Sequence, residues 1–231
     1  MVITKRTLLA GTVMALSGVS FWLFVRSDND PIMAVTPRPA REDGVTIVAF
    51  GDSLTAGFGL PASESYPAQL EVLLREKGRS VRVVNAGVSG ETTRGNLERA
   101  SFIRAQNPDV VLLGIGGNDA LRMLPLEETK SNIAQTIEVL QGGNQPPIVI
   151  LLTMQAPLTS GLSYKRDFDN MYAELARTYN LPVAPFLTAE VFLDATKKST
   201  DGIHLNKEGY AIVAREYALP VVEQVLERFE K

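Results

Sequence analysis

Four short segments carry residue types suited to acyl transfer: Gly51-Asp52-Ser53-Leu54-Thr55, the run from Asn85 to Thr92, Gly116-Gly117-Asn118-Asp119, and Asp201-Gly202-Ile203-His204. Such chemistry needs a nucleophile, a base, a group that orients the base, and hydrogen-bond donors for the oxyanion. Ser53 is the candidate nucleophile, because neighbouring Gly51 permits a tight turn that exposes the hydroxyl. His204 is the sole histidine of the chain and so the sole candidate imidazole base. Asp201, three residues earlier on the same loop, can accept from the ring's Nδ1–H and leave Nε2 free for the serine proton. For the oxyanion, Asn118 offers a side-chain amide. Gly90 offers a backbone N–H unobstructed by a side chain, and Ser53 N–H is a third donor.

Each segment alone has a plainer reading. A serine after a strand is usually a turn or cap residue, Asp-x-x-His is usually surface loop, and Gly-Gly-Asn-Asp is usually a turn. Gly-Val-Ser-Gly alone reads as a weak phosphate nest. Asp52 and Asp119 read as structural, through turn and loop hydrogen bonds. The functional reading rests on conjunction, since the four segments supply every role without duplication. The spacing of Gly87, Gly90 and Gly95 does not match a dinucleotide fingerprint, and no Gly-x-x-x-x-Gly-Lys-Ser/Thr is present.

The elements that must position these residues alternate regularly. Short apolar runs predict strands over 45–50, 81–84, 110–115, 148–152 and, more weakly, 183–186. Helical periodicity predicts helices over 65–77, 92–105, 127–140, 164–179 and 206–229, with Ser65 as N-cap of the first and a kink at Pro220 in the last. Strands interleaved with helices imply a parallel sheet with right-handed crossovers, here a five-stranded, three-layer αβα sandwich of flavodoxin-like type. Ligands of such sheets bind at the carboxyl ends of the strands. All four segments fall after a predicted strand, so they can converge although they lie up to 151 positions apart.

Composition narrows the chemistry. The chain has 231 residues, 45% hydrophobic and 21% charged, the ordinary soluble balance. A net charge of -3 gives no footprint for nucleic acid. With no cysteine, disulfides, thiolate metal sites and a thiol nucleophile are excluded, and one histidine excludes multi-histidine metal sites. No cofactor or metal is expected.

Residues 1–26 read as a targeting segment. Lys5 and Arg6 precede an uncharged, mostly apolar run from Thr7 to Val25, closed by Arg26. As a helix that run would span roughly 28 Å, close to the hydrocarbon thickness of a bilayer. It fits a cleaved export signal or an uncleaved N-terminal anchor, and either places the domain outside the cytoplasm, in the periplasm. Any membrane association is expected through this segment alone. Residues 27–43, with three prolines and mixed charges, read as a tether, and 44–231 as the catalytic domain.

These residues together resemble the SGNH hydrolases, also called the GDSL esterases and lipases. Gly51-Asp52-Ser53-Leu54 is similar to the family's nucleophile block, and Gly90 to its second-block glycine. Gly116-x-Asn118-Asp119 is similar to the block with the oxyanion asparagine, and Asp201-x-x-His204 to the last block. The stretches Gly90 to Arg94, Gly116 to Arg122 and Asp201 to Asn206 resemble the compact branch of bacterial thioesterases, lysophospholipases and arylesterases. The resemblance implies broad activity on small-molecule acyl esters and thioesters, without metal or cofactor. The Gly-x-Ser-x-Gly elbow of α/β-hydrolases is absent.

Two apolar loops should flank the site: Leu121 to Leu126, after the asparagine, and Met154 to Leu158, after the fourth strand. Leu121, Met123, Leu124, Met154 and Pro157 are candidates for an acyl groove, the plainer reading being that they pack beneath their loops. An exported or tethered enzyme would meet lipid-derived or envelope-derived substrates. Two other readings are an O-acetyl esterase acting on envelope glycans and a non-catalytic binding module on the same fold.

Overall fold

The central strands are apolar on both faces, which only a sheet covered on both sides can satisfy. In the computed structural model, which describes residues 44–229, strands β1 (Val45–Gly51), β2 (Val81–Gly87), β3 (Val110–Gly114), β4 (Ile148–Thr153) and β5 (Val183–Pro185) form one parallel sheet in the order β2-β1-β3-β4-β5. This is the predicted αβα architecture. Ile47 to Phe50, Val110 to Leu113 and Ile150 to Leu152 have no accessible surface and form its centre.

Helices α2 (Tyr66–Glu76), α3 (Thr93–Ala105), α5 (Leu126–Gln141) and α6 (Leu162–Thr178) are the predicted crossovers. α3, α5 and α6 pack side by side, whereas α2 packs against the C-terminal helical run. The strand order explains this division. The chain steps one way from β1 to β2, then returns past β1 to β3 and continues outward. Right-handed crossovers therefore put α2 on one face and α3, α5 and α6 on the other. The reversal opens a crevice at the carboxyl ends of β1 and β3, where ligands of such folds bind.

Three one-turn helices escape a pattern-based reading: α1 (Ser53–Ala56), α4 (Gly117–Leu121) and α7 (Ala189–Leu193). They are too short to show periodicity, and the first two carry site residues. Ser65 stands at the N-cap of α2, but its hydroxyl donates back to Ala62 O at 2.8 Å and caps nothing. The C-terminal helix is not one kinked rod. α8 (Lys207–Ile212) widens into a π-helical stretch (Val213–Ala218) before α9 (Leu219–Leu226), with Pro220 in the first turn of α9. A proline lacks an N–H and crowds the preceding turn, and the wider turn accommodates it.

Glycines let the strand ends close up. Gly51 pairs with both Gly87 and Gly114 across the sheet. A Cβ on Gly51 would stand 2.2 Å from Thr55 Oγ1 and 2.4 Å from the Gly114 carbonyl oxygen. We predict that Gly51→Ala forces β1 from β3, costs about 1–3 kcal/mol in urea unfolding, and lowers kcat further by displacing the adjacent residues 52 and 53. Unchanged stability and kcat would contradict this account of the strand end.

Candidate active site

The site is built from four strand-end loops. After β1, Asp52 caps α1: its Oδ1 accepts from Leu54 N–H at 2.9 Å. Ser53 is thereby held as the first residue of the helix, 8% exposed. α1 stops after one turn at Gly57, which takes a φ of +76°. Ser53 N–H has no hydrogen-bond partner among the described residues.

The His204 loop closes on itself. Ser199 N–H donates to the His204 carbonyl at 2.9 Å, Asn206 N–H donates to that of Lys197 at 2.9 Å, and Lys198 bridges Leu205. Inside it, Asp201 Oδ1 accepts from Ile203 N–H at 2.8 Å, His204 N–H at 2.9 Å and the Ser199 hydroxyl at 2.7 Å. Asp201 Oδ2 lies 2.6 Å from His204 Nδ1, and His204 Nε2 lies 2.8 Å from Ser53 Oγ. The hydrogen bond from the His204 ring, with those of the Ser199 hydroxyl and two backbone N–H groups, holds the Asp201 carboxyl well below its ordinary range. An ionised carboxylate only accepts, so Nδ1 carries the ring proton and Nε2 is the acceptor for the Ser53 hydroxyl. Phe58, half exposed, packs its ring 4.7 Å from that of His204.

On the other side of Ser53 stand the 88–92 loop and α4. Gly90 adopts a φ of +79°, with open space where a Cβ would point, so conformation rather than crowding calls for glycine. Its N–H has no partner among the described residues, and its carbonyl accepts from Arg122 at 2.9 Å. Asn118 Nδ2 donates to the Glu91 carbonyl at 2.9 Å and lies 3.3 Å from Asp52 Oδ2. One amide hydrogen is thus anchored, and the other points across a longer, weaker contact. Gly116 precedes α4 with a φ of +112°, and a Cβ there would stand 2.7 Å from Tyr172 Oη. Asp119 accepts from Thr93 N–H at 2.9 Å and from the Thr93 hydroxyl at 2.5 Å, tying α4 to the start of α3.

Ser53, His204 and Asp201 are therefore joined by hydrogen bonds, Asn118 reaches Asp52 beside Ser53, Gly90 lies on the loop after the neighbouring strand β2, and Asp52 and Asp119 have the structural contacts expected of them. The five groove candidates divide. Leu121 and Met123 are 48% and 56% exposed, Leu124 and Pro157 are half-buried, and Met154 is buried with its sulfur toward Gly117. Tyr164 ties α6 to the 121–126 loop by donating to the Leu124 carbonyl at 3.0 Å. Among the described residues, no three His, Cys, Asp or Glu side chains group to hold a metal ion, and no helix is long and apolar enough to cross a membrane. The segments 1–26 and 27–43 lie outside the described residues. Sequence reasoning gave no role of their own to Phe58, which packs on the His204 ring, or to Glu91, whose carbonyl holds Asn118. The one available signal was that Glu91 directly follows Gly90.

Asp52 is 1% exposed, and burial pushes its carboxyl from 3.8 up to about 6, against the opposing hydrogen bond from Leu54 N–H and attraction to His204. A carboxyl raised in the folded state contributes stability that is present below its unfolded value and lost as pH rises through about 6. Relative to Asp52→Asn, the native protein should lose up to about 3 kcal/mol between pH 4 and 7, measured by urea unfolding. A pH-independent difference would refute the shift.

Three comparisons bear on this site. The family model described as the GDSL-like lipase/acylhydrolase family matches residues 49–212. The thioesterase 1/protease 1/lysophospholipase L1 of Escherichia coli K12 is 33% identical over 185 residues, covering 79% of this chain and 85% of that one. An arylesterase of Vibrio mimicus is 31% identical, covering 80% and 92%. The crystal structure of AlinE4, an SGNH-hydrolase family esterase, superposes with a TM-score of 0.65 at 36% identity, covering 81% of this chain and 99% of that one. With the family model spanning all four strand-end loops, and relatives aligned along most of their length, this chain belongs to the GDSL-like lipase/acylhydrolase family, the SGNH hydrolases.

Proposed function

We propose that this carboxylic ester hydrolase works through an acyl-enzyme on Ser53, with His204 as base, Asp201 as its orienting carboxylate, and Ser53 N–H, Gly90 N–H and the Asn118 amide as the oxyanion hole. The observation that carries the reading is the unbroken hydrogen-bonded series from Asp201 through His204 to Ser53 Oγ, with links of 2.6 Å and 2.8 Å.

As Ser53 Oγ bonds to the acyl carbon, its proton passes to His204 Nε2 and the carbonyl electrons move onto oxygen. The imidazolium that forms is stabilised by the Asp201 carboxylate, which stays ionised. Two backbone N–H groups without partners among the described residues, and the Asn118 amide hydrogen that otherwise meets only Asp52 Oδ2 at 3.3 Å, receive the oxyanion. Collapse breaks the bond to the alcohol or thiol, and His204 returns its proton to that leaving group. Water then repeats the cycle on the acyl-enzyme, with His204 again as base. Activity extends over acyl esters and thioesters, because no side chain of the five demands a particular leaving atom. Exposed Leu121 and Met123 beside the oxyanion helix support an acyl chain lying along the α4–α5 loop, with Leu124 and Pro157 at its margin. No cofactor enters these steps.

Ser53→Ala and His204→Ala should abolish hydrolysis of p-nitrophenyl butyrate, and a fluorophosphonate probe should label Ser53 in the native protein alone. Loss of Asn118 (Asn118→Ala) should cost roughly 10²–10³ in kcat, and Asp201→Asn up to roughly 10⁴. Near-native activity in His204→Ala would end the mechanism, since the chain has no second histidine. Rates should rise with acyl length from acetyl to octanoyl. Preference for an acetylated glycan over every p-nitrophenyl ester would replace this reading with the glycan O-acetyl esterase. Absence of probe labelling would favour the binding module.

We further infer an exported enzyme, in the periplasm or held to the membrane by residues 1–26, on the strength of Lys5 and Arg6 preceding the uncharged run 7–25. N-terminal sequencing of the protein from fractionated cells tests this. An intact N-terminus in the cytoplasmic fraction would refute it.

A further inference from the structure

We infer that Arg99, acting through Glu91, is the positioning residue that sets both oxyanion-binding loops; this deepens the reading of Ser53 as nucleophile and rests on it. Glu91 follows Gly90 directly, and its backbone carbonyl is the anchor for Asn118 Nδ2 at 2.9 Å. Two of the three oxyanion donors therefore depend on where residue 91 stands.

The Glu91 side chain fixes that place. Its carboxylate folds under the first turns of α3, where it accepts from Asn96 Nδ2 at 2.6 Å, from Arg99 Nε at 2.8 Å and from Arg99 Nη2. The guanidinium is thus bidentate, an arrangement that fixes direction as well as distance. Gly95 leaves the room: a Cβ there would stand 2.7 Å from Glu91 Cγ. Arg99 also donates to the Ala86 carbonyl at 3.2 Å and lies 4.9 Å over the Phe50 ring. Phe50 lies just before Gly51-Asp52-Ser53, and Ala86 lies at the end of β2. One cation therefore ties the nucleophile strand, the β2 strand and the 88–92 loop, and through that loop α4. The Glu91 and Arg99 side chains are 10% and 26% exposed, so water competes weakly for the pair. Neither side chain belongs to the group that surrounds the reacting point, which makes Arg99 a positioning residue.

The test measures kcat and KM for p-nitrophenyl butyrate in native protein, Arg99→Met, Arg99→Lys, Glu91→Gln, Asn118→Ala and the double variant Arg99→Met/Asn118→Ala, with melting curves for each. Arg99→Met should lower kcat by about 10- to 100-fold with KM changed less than about threefold, and Arg99→Lys should recover part of the loss. In the Asn118→Ala background the same substitution should cost at least about fivefold less, because the donor it positions is gone. A merely structural ion pair would give equal losses with and without Asn118, or losses that vanish below the melting transition, and either result overturns the inference. Native kcat in Arg99→Met overturns it too. If Arg99→Met does not fold, Glu91→Gln, which keeps the side chain's size, carries the same cycle with Asn118→Ala. Failure of the parent reading is separable: Ser53→Ala would then retain activity, whereas failure of the positioning role leaves Ser53→Ala inactive and Arg99→Met active.

Discussion

The hydrogen bond between His204 Nε2 and Ser53 Oγ joins residues 151 positions apart, and the rest of the architecture must hold its two ends 2.8 Å from each other. Neither end is free to search. Ser53 is fixed as the first residue of a one-turn helix by the Asp52 cap. His204 is fixed by a closed loop in which Asp201 takes four hydrogen bonds, two from backbone and two from side chains. Gathering donors around it this way keeps Asp201 ionised, which selects the ring tautomer. The loop's internal bonding thus does chemical as well as structural service. Phe58 shields one side of the imidazole, so the His204 side chain is only 14% exposed although it sits at a strand-end crevice.

The opposite side of Ser53 is organised by different means. The 88–92 loop and α4 are held by carbonyl anchors: the Gly90 carbonyl by Arg122 and the Glu91 carbonyl by Asn118. Using carbonyls as anchors leaves N–H groups available, which is what binding a developing anion requires. Beneath these loops lie two polar clusters. Asp119 with Thr93 joins α4 to α3, and Glu91 with Asn96 and Arg99 joins α3 to the strand ends. Asp52 is the exception to full compensation. It is buried, its carboxyl is raised to about 6, and it touches Asn118 only at 3.3 Å. The cap that positions Ser53 therefore also carries a charge that burial disfavours at neutral pH.

The sheet's reversal at β1 explains why a compact chain can supply these parts. Ser53 follows β1, the loop with Gly90 follows β2, and Asn118 follows β3, so three adjacent strands deliver three loops to one crevice. The wider turn before Pro220 lets the C-terminal run continue to pack against α2. The exposed leucine and methionine of the α4–α5 loop lie beside α4, apart from the core.

Legibility in the sequence followed the physical range of each constraint. Strand and helix alternation was readable because burial on both sheet faces imposes apolar runs on β1, β3 and β4, and right-handed crossovers leave few topologies. Ser53, Gly90, Asn118, Asp201 and His204 could be singled out as candidates because each is a residue type suited to a chemical role, placed after a strand. α1 and α4 were not, since four or five residues give no period and their starts depend on contacts made elsewhere. Nor was the separation of Met154, which packs inward, from Leu121 and Met123, which stay exposed; all are apolar, and only neighbouring atoms distinguish them. Arg99 lies eight residues beyond Glu91 on a helix, with nothing in its spacing to tell a surface cation from one folded under a loop. The amino-acid order alone determined which side chains could take part and at which end of the sheet they would gather. Tertiary structure alone decided which carbonyls hold Asn118 and Gly90, which cation holds Glu91, and how closely His204 meets Ser53, because those distances are set by packing between segments that are remote along the chain.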